Sequence, residues 1–335
     1  MVDPITFLKY NTFTILAPRV RQPKKVDSLT EDDLLICTPM VLGFSFGSKR
    51  WGAFSLSDLM EVEWNVTAFD KLVLNPEHSK IILALVTAHS SGATYFDDIV
   101  QNKGKGLVGL LSGPPGVGKT LTAEAVAEAT HRPLYMLSAG ELGTDPEELD
   151  ENLNLVLELS NRWNSVLLLD EADAFLHERH SRELQRNSLV SIFLRQLEYY
   201  QGIMILTTNR VHAIDSAFHS TYCDSSNRLV KFGLIIRFPG RIHFSIDYPE
   251  LDKASRRKIW NTFISKIQET TDSTRFITNG EPSELAHTQT PENQDSETGI
   301  ERQFNISEAE LFELAENPLN GRQVSSNTIF LHEVN

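Results

Sequence analysis

Gly113-Pro114-Pro115-Gly116-Val117-Gly118-Lys119-Thr120 follows a short apolar run, Gly106–Gly113, and precedes a segment, Leu121–Ala129, that reads as a helix. The stretch matches G-x-x-x-x-G-K-[ST], a phosphate-binding loop. Its glycines let backbone N–H groups turn inward onto phosphate oxygens, and the helix start adds its positive dipole end. A chance glycine-rich turn would not be expected between a buried strand and a helix. Lys119 is expected to reach the β- and γ-phosphates, and the Thr120 hydroxyl to bind Mg²⁺. The candidate nucleotide contacts are Gly113, Pro114, Pro115, Gly116, Val117, Gly118, Lys119, Thr120 and Leu121.

Outward from this loop the texture alternates. Arg132–Ala139, Ser165–Asp170 and Gly202–Asn209 read as buried strands, and Pro146–Trp163 and Arg182–Tyr199 as helices. That alternation predicts an α/β fold, a parallel sheet covered on both faces in a three-layer αβα sandwich of the P-loop NTPase kind. Leu167-Leu168-Leu169-Asp170-Glu171 reads as the Walker B partner of the Walker A loop. Asp170, at the strand's end, is expected to hold the Mg²⁺ shell, and Glu171 to accept a proton from attacking water. Asn209, at the end of the next strand, can orient that water.

In this order, GPPGVGKTLTAEAVAE, LLLDEADAFLHER and ILTTNR resemble the AAA+ ATPases over about residues 95–268. The resemblance implies ATP and Mg²⁺ as cofactors. It also implies that Phe96–Gly106 lines the adenine. The upstream phrases LLICTPMVLGFSFGSKRW and FDKLVLNPEHSKIILALV are similar to those of uncharacterised filamentous-fungal AAA+ proteins. Asp170-Glu171-Ala172-Asp173 spells a helicase label, but the Ser-Ala-Thr motif and a second RecA-like domain are lacking. A small-molecule kinase would not suit DEAD followed by Thr207-Thr208-Asn209-Arg210.

The family places an arginine roughly a dozen residues after the sensor asparagine, reaching the neighbouring subunit's γ-phosphate. Here Ala217–Ser220 is followed by 20 residues, Thr221–Gly240, before Arg241. Removing 221–240 puts Arg241 twelve positions after Asn209. The stretch is compatible with a retained intron: Ser-Thr-Tyr can be written AGTACGTAC and Pro-Gly CCAGGC, with donor and acceptor in frame. Were the segment genuine, Arg237 would be a second candidate, behind Arg241. Leu319–Gln323 resembles the family's second sensor, with Arg322 reaching the γ-phosphate in cis. The chain then runs VSSNTIFLHEVN where a longer helical lid is expected, and Val324-Ser325 can be encoded as another donor, GTAAGT. For both Arg241 and Arg322 the alternative is a surface arginine.

The expected organisation is an N-terminal mixed α+β segment (1–91), the nucleotide-binding domain (92–250), and a short, truncated helical lid (251–335) with a disordered acidic linker at about 269–300. Residues 1–30 read as an irregular arm, whose basic run Arg19–Lys25 is a solvated face. LLICTPMVLGFSF (34–46) reads as strand, turn, strand, punctuated by Pro39 and Gly43. KRWGAFSL and DLMEVEWN (58–65) read as short strands, and His78–Ala88 and 254–268 as helices. Phe304–Pro318 is a helix with Ser307 as N-cap and Glu310 completing a capping box.

The 41% hydrophobic content excludes wholesale disorder. Net charge is −14, but residues 267–318 hold 12 acidic and 2 basic residues, so −10 of it belongs to that stretch. The full −14 disfavours a broad grip on nucleic acid, which is not expected as a partner, but with only −4 outside that stretch the argument against a local basic patch weakens. No apolar run approaches the roughly 20 residues of a membrane span, and the first residues lack a signal-peptide pattern. Two cysteines, Cys37 and Cys223, without metal-ligand spacing fit an intracellular setting, cytoplasmic or nuclear. An arginine acting in trans requires a homo-oligomer, a ring such as a hexamer. Residues 138–145 contain no aromatic, so polypeptide threading is not supported, and the protein substrate or partner is open. The competing class is an ATP-binding interaction protein without turnover, or the inactive product of a faulty gene.

Overall fold

The computed structural model describes residues 1–12, 28–35, 37–65, 67–90, 105–176, 184–210, 229–231, 234–236, 242–278 and 308–324. Its centre is a seven-stranded sheet. In chain order the strands are β3 (Leu107–Ser112), β4 (Leu134–Ser138), β5 (Val166–Asp170), β6 (Ile203–Thr208), β7 (Leu229–Lys231), β8 (Leu234–Ile236) and β9 (Phe244–Asp247). They lie in the order β4-β5-β6-β3-β9-β8-β7. β4, β5, β6, β3 and β9 are mutually parallel, and β8 and β7 extend the β9 edge as antiparallel strands. These last two strands fall inside Thr221–Gly240, the segment read as an insertion.

Strand side chains alternate faces, and this separates two cores. Leu167, Leu169, Met204 and Leu206 pack with α5 (Pro146–Trp163), the short α6 (Asp173–Leu176) and α7 (Leu184–Tyr199). Val166, Leu168, Ile203 and Ile205 face the other way, onto α3 (Pro76–Ser90) and α4 (Lys119–Ala129). Helices thus cover both faces, and the three-layer α/β sandwich is as expected. Beyond β9, α8 (Lys253–Thr278) packs on α9 (Glu308–Glu316) through Trp260, Ile264, Leu311 and Val324, forming the helical lid.

Four expectations need correction. α8 runs to Thr278, ten residues into the stretch read as linker. No glycine or proline interrupts 253–278, and extending an existing helix adds one hydrogen bond per residue fixed. Residues 279–300 and Ser307 lie outside the described residues. The N-terminal arm opens with a helix, α1 (Pro4–Tyr10), because Asp3 caps Thr6 N and Pro4 stands at the first turn. Glu31–Leu35 is helical (α2), and Gly43 lies inside β1 (Met40–Ser45), not at a turn. A Cβ on Gly43 would sit 2.4 Å from the Met1 carbonyl, so this glycine lets the N-terminal residues lie antiparallel against β1, with Val2 bridged to Gly43. β1 pairs with β2 (Arg50–Ser55), but 58–65 forms no strand after a 3-10 turn at Leu56–Asp58. Met60 and Val62 there are exposed, with no neighbouring strand to pair.

The hairpin and α1 sit on the α5 face of the sheet. Phe44 and Tyr135 ring centroids are 5.7 Å apart, and those of Phe44 and Trp163 are 5.0 Å apart. Asp3 accepts hydrogen bonds from Arg162 Nε at 2.9 Å and Trp163 Nε1 at 3.0 Å.

Candidate active site

The C-terminal ends of β3, β5 and β6 lie side by side, which brings three distant sequence motifs to one edge. β3 runs into the loop 113–118, where Gly113, Gly116 and Gly118 take φ of 143°, 78° and 102°. Side chains rarely tolerate that region, so the glycines are what allow the loop to fold over the start of α4. Gly113 is also pressed on its outer side, since a Cβ there would meet the Tyr248 carbonyl at 2.4 Å. Val117 is buried and anchors the loop in the core shared with α3 and α4.

Lys119 is buried. Its Nζ donates to the carbonyls of Gly113 and Pro114, both at 2.7 Å, and to Asn209 Oδ1 at 2.9 Å. Burial lowers the affinity of this ammonium for its proton. Asp170 and Asp173 act in the opposite direction, and Arg322 adds to the lowering. The Thr120 hydroxyl lies 3.4–3.5 Å from both Asp170 carboxylate oxygens. Glu171 and Asn209 are exposed at the loop ends, and Glu171 is one of four non-glycine residues with positive φ among the described residues, at 55°.

One cavity of about 1290 Å³ gathers these groups. Its lining includes Pro115 to Leu121, Asp170, Glu171 and Asn209, and Arg322 from the lid side. Gly113 and Pro114 contribute through the carbonyls that hold Lys119. Arg241 and Arg237 lie outside the described residues.

The cavity also shows what sequence reasoning missed. Its apolar walls are Leu72, Val73 and Leu74, with Ile259 and Phe263 of α8. Lys258 Nζ donates to the Leu72 carbonyl at 3.2 Å, tying the lid to that segment. Phe96–Gly106 was expected here; residues 96–104 lie outside the described ones. Arg322 was expected at the site from the second-sensor resemblance, but the local capping that presents it was not. Asn320 and Gln323 cap each other's backbone N–H at 3.0 Å, starting a helical turn at 321–324. A third omission is the pair Thr207 and Thr208, both buried. Two hydroxyls closing an otherwise apolar strand were the available signal, because buried polar groups need partners.

The residues present suit a nucleotide with Mg²⁺. The loop turns a lysine and left-handed glycines toward one edge of the cavity, and Thr120 and Asp170 present oxygens to a common point. Among the described residues no group of three or more His, Cys, Asp or Glu side chains could hold a metal by itself. Mg²⁺ beside phosphates does not need one, since it takes one or two protein oxygens and completes its shell from phosphate and water.

The family model for AAA, described as ATPase family associated with various cellular activities, matches residues 109–229. This chain carries an AAA ATPase domain. It is similar to the 26S proteasome regulatory subunit 4 homolog of Oryza sativa subsp. japonica, 32% identical over 187 residues, covering 51% of this chain and 36% of that protein. The human ATPase family gene 2 protein homolog B is 39% identical over 117 residues, 32% of this chain and 15% of that protein. The 26S proteasome regulatory subunit 6B homolog of Aspergillus niger is 29% identical over 174 residues, 47% and 36% of the two chains. The chain spans well under half the length of each of these relatives. Among the described residues no helix is long and apolar enough to cross a membrane.

Proposed function

We propose that this protein binds ATP with Mg²⁺ and hydrolyses it, coupling hydrolysis to the remodelling of a protein partner. The observation that carries the reading is the convergence of Lys119, Thr120, Asp170, Glu171, Asn209 and Arg322 on one cavity. Lys119 holds the phosphates, already fixed at its other side by the loop carbonyls. Thr120 and Asp170 hold the metal, which when bound neutralises phosphate charge. Glu171 takes the proton of the attacking water and Asn209 orients that water. Arg322 meets the γ-phosphate from the lid. Arg241 acts on the neighbouring copy in a head-to-tail ring, since a heterologous interface closes into rings. The AAA domain and the relatives named as proteasome regulatory subunits support an assembly that works on protein, in the cytoplasm or nucleus.

Phosphate release by the full chain, beside Lys119→Ala and Glu171→Gln, tests this, with the particle mass measured in the same buffer. Loss of a general base costs roughly 10²–10⁴-fold in rate, so Glu171→Gln should fall by at least about 10²-fold, and Lys119→Ala should lose release together with its hold on the phosphates. Wild-type release no higher than both variants, with nucleotide still bound, would leave a non-hydrolysing ATP-binding protein.

A further inference from the structure

Thr207 is not among the residues that line the cavity, yet it holds the turn that carries Glu171. Its side chain is buried at the end of β6. A hydroxyl offers one proton and two lone pairs, and both kinds of capacity are used. Thr207 Oγ1 donates to Asp170 Oδ1 and accepts from the Glu171 backbone N–H at 3.0 Å. The Thr207 carbonyl accepts from Ala172 N at 2.9 Å. One residue therefore grips three consecutive positions of the neighbouring strand's exit.

The middle one of those positions is Glu171, whose φ of 55° is left-handed. A non-glycine side chain stays there only where its surroundings over-determine it. The Thr207 hydroxyl supplies that constraint from one side and its carbonyl from the other. We propose that Thr207 is a positioning residue for hydrolysis, its hydroxyl holding Glu171 in the left-handed conformation that turns the carboxylate toward the cavity. The adjacent residue repeats the arrangement: Thr208 Oγ1 donates to Asp173 and accepts from Arg210 N at 3.0 Å, with Asn209 held between. This inference rests on the reading of Glu171 as the base.

The test compares full-length wild type, Thr207→Val, Thr207→Ser, Glu171→Gln and the Thr207→Val/Glu171→Gln double variant by steady-state phosphate release per folded protein. Valine keeps the shape and removes the hydroxyl, whereas serine keeps the hydroxyl. Thr207→Val should lower kcat 10- to 100-fold with KM for ATP within about threefold, and Thr207→Ser should stay within about threefold of wild type. In the Glu171→Gln background Thr207→Val should cost nothing more. Thr207→Ala serves the same comparison if the valine variant does not fold. A kcat within twofold of wild type for the hydroxyl-free variant, or a loss that multiplies with Glu171→Gln, overturns the inference and leaves Thr207 a packing residue. Wild-type release no higher than that of Glu171→Gln overturns the reading of Glu171, and this inference falls with it.

Discussion

Gly321 donates its backbone N–H to the carbonyl of Gly116 at 2.9 Å, so the lid is bonded main chain to main chain with the phosphate-binding loop. The approach leaves no space for a side chain: a Cβ on Gly321 would lie 2.6 Å from the Gly116 oxygen. Asn320 closes the other side, its side-chain carbon 2.8 Å from the position of a Cβ on Gly116. Lid position and loop conformation are therefore one mechanical unit, and Arg322 follows immediately.

Gly321→Ala should push the lid off the loop and carry Arg322 with it. The expected result is about tenfold weaker ATP binding, roughly 1.4 kcal/mol, by titration calorimetry with unchanged far-ultraviolet dichroism. Affinity equal to wild type would show that the contact does not hold the site.

Gly109 sits mid-strand in β3 under the ring of Phe244, and a Cβ there would fall 2.1 Å from a ring carbon. Gly109→Ala should destabilise by about 1–3 kcal/mol, as overpacked cores do. Adding Phe244→Leu should recover part of that loss. Urea unfolding of the two variants measures both effects.

His243 Nδ1 accepts the Val108 backbone N–H at 2.9 Å, and burial, with His89 nearby, pushes its pKa down to about 4. The folded chain therefore keeps this imidazole neutral where the unfolded chain protonates it, near pH 6.5. Its contribution is full above about pH 6.5 and is lost as the pH falls toward about 4, at most about 3 kcal/mol. Stability measured at pH 7.5, 6 and 5 should decline more steeply for wild type than for His243→Asn, whose amide oxygen can accept the same bond.

Burial raises the pKa of the Asp3 carboxyl, but hydrogen bonds from Thr6, Trp163 and Arg162 outweigh it and hold the group well below the usual carboxylate range. The stabilisation it brings is present above the ordinary carboxylate pKa and is lost as pH falls through the lowered one. Asp3→Asn should release α1 from α5 at a cost of about 1–3 kcal/mol. Faster proteolysis within residues 1–12 and altered tryptophan fluorescence would report it.

Residues 221–240 permit a direct test of the insertion reading. Among the described residues β7 and β8 pair with each other and with the outer edge of β9, so the parallel pairings of β4, β5, β6, β3 and β9 do not run through them. A chain lacking 221–240 should remain folded and hydrolyse ATP faster than the full chain, with Arg241 twelve residues from Asn209. Transcripts that carry these codons throughout would reject the intron origin.

That Gly113–Thr120, Leu167–Glu171 and Ile205–Asn209 meet at one candidate site was legible, because such motifs restrict residue types at fixed spacing. The strands around them were legible because burial on both faces demands uninterrupted apolar runs. The walls of the cavity were not. Leu72, Val73 and Leu74 have the same composition whether they face a ligand or a core. The extent of α8 was hidden for a related reason, since Glu, Thr, Asp and Ser in 269–278 suit linker and helix surface alike.

Local pattern alone marked the sandwich, the loop and the candidates Lys119, Thr120, Asp170, Glu171 and Asn209. That Thr207 grips the turn of Glu171, that Gly321 bonds to Gly116, and that Phe44 of the N-terminal hairpin packs on Trp163 came from the stacking of elements. Those relationships join residues 36, 205 and more than 100 positions apart. Contacts across such distances depend on how elements are stacked, which no local spacing records.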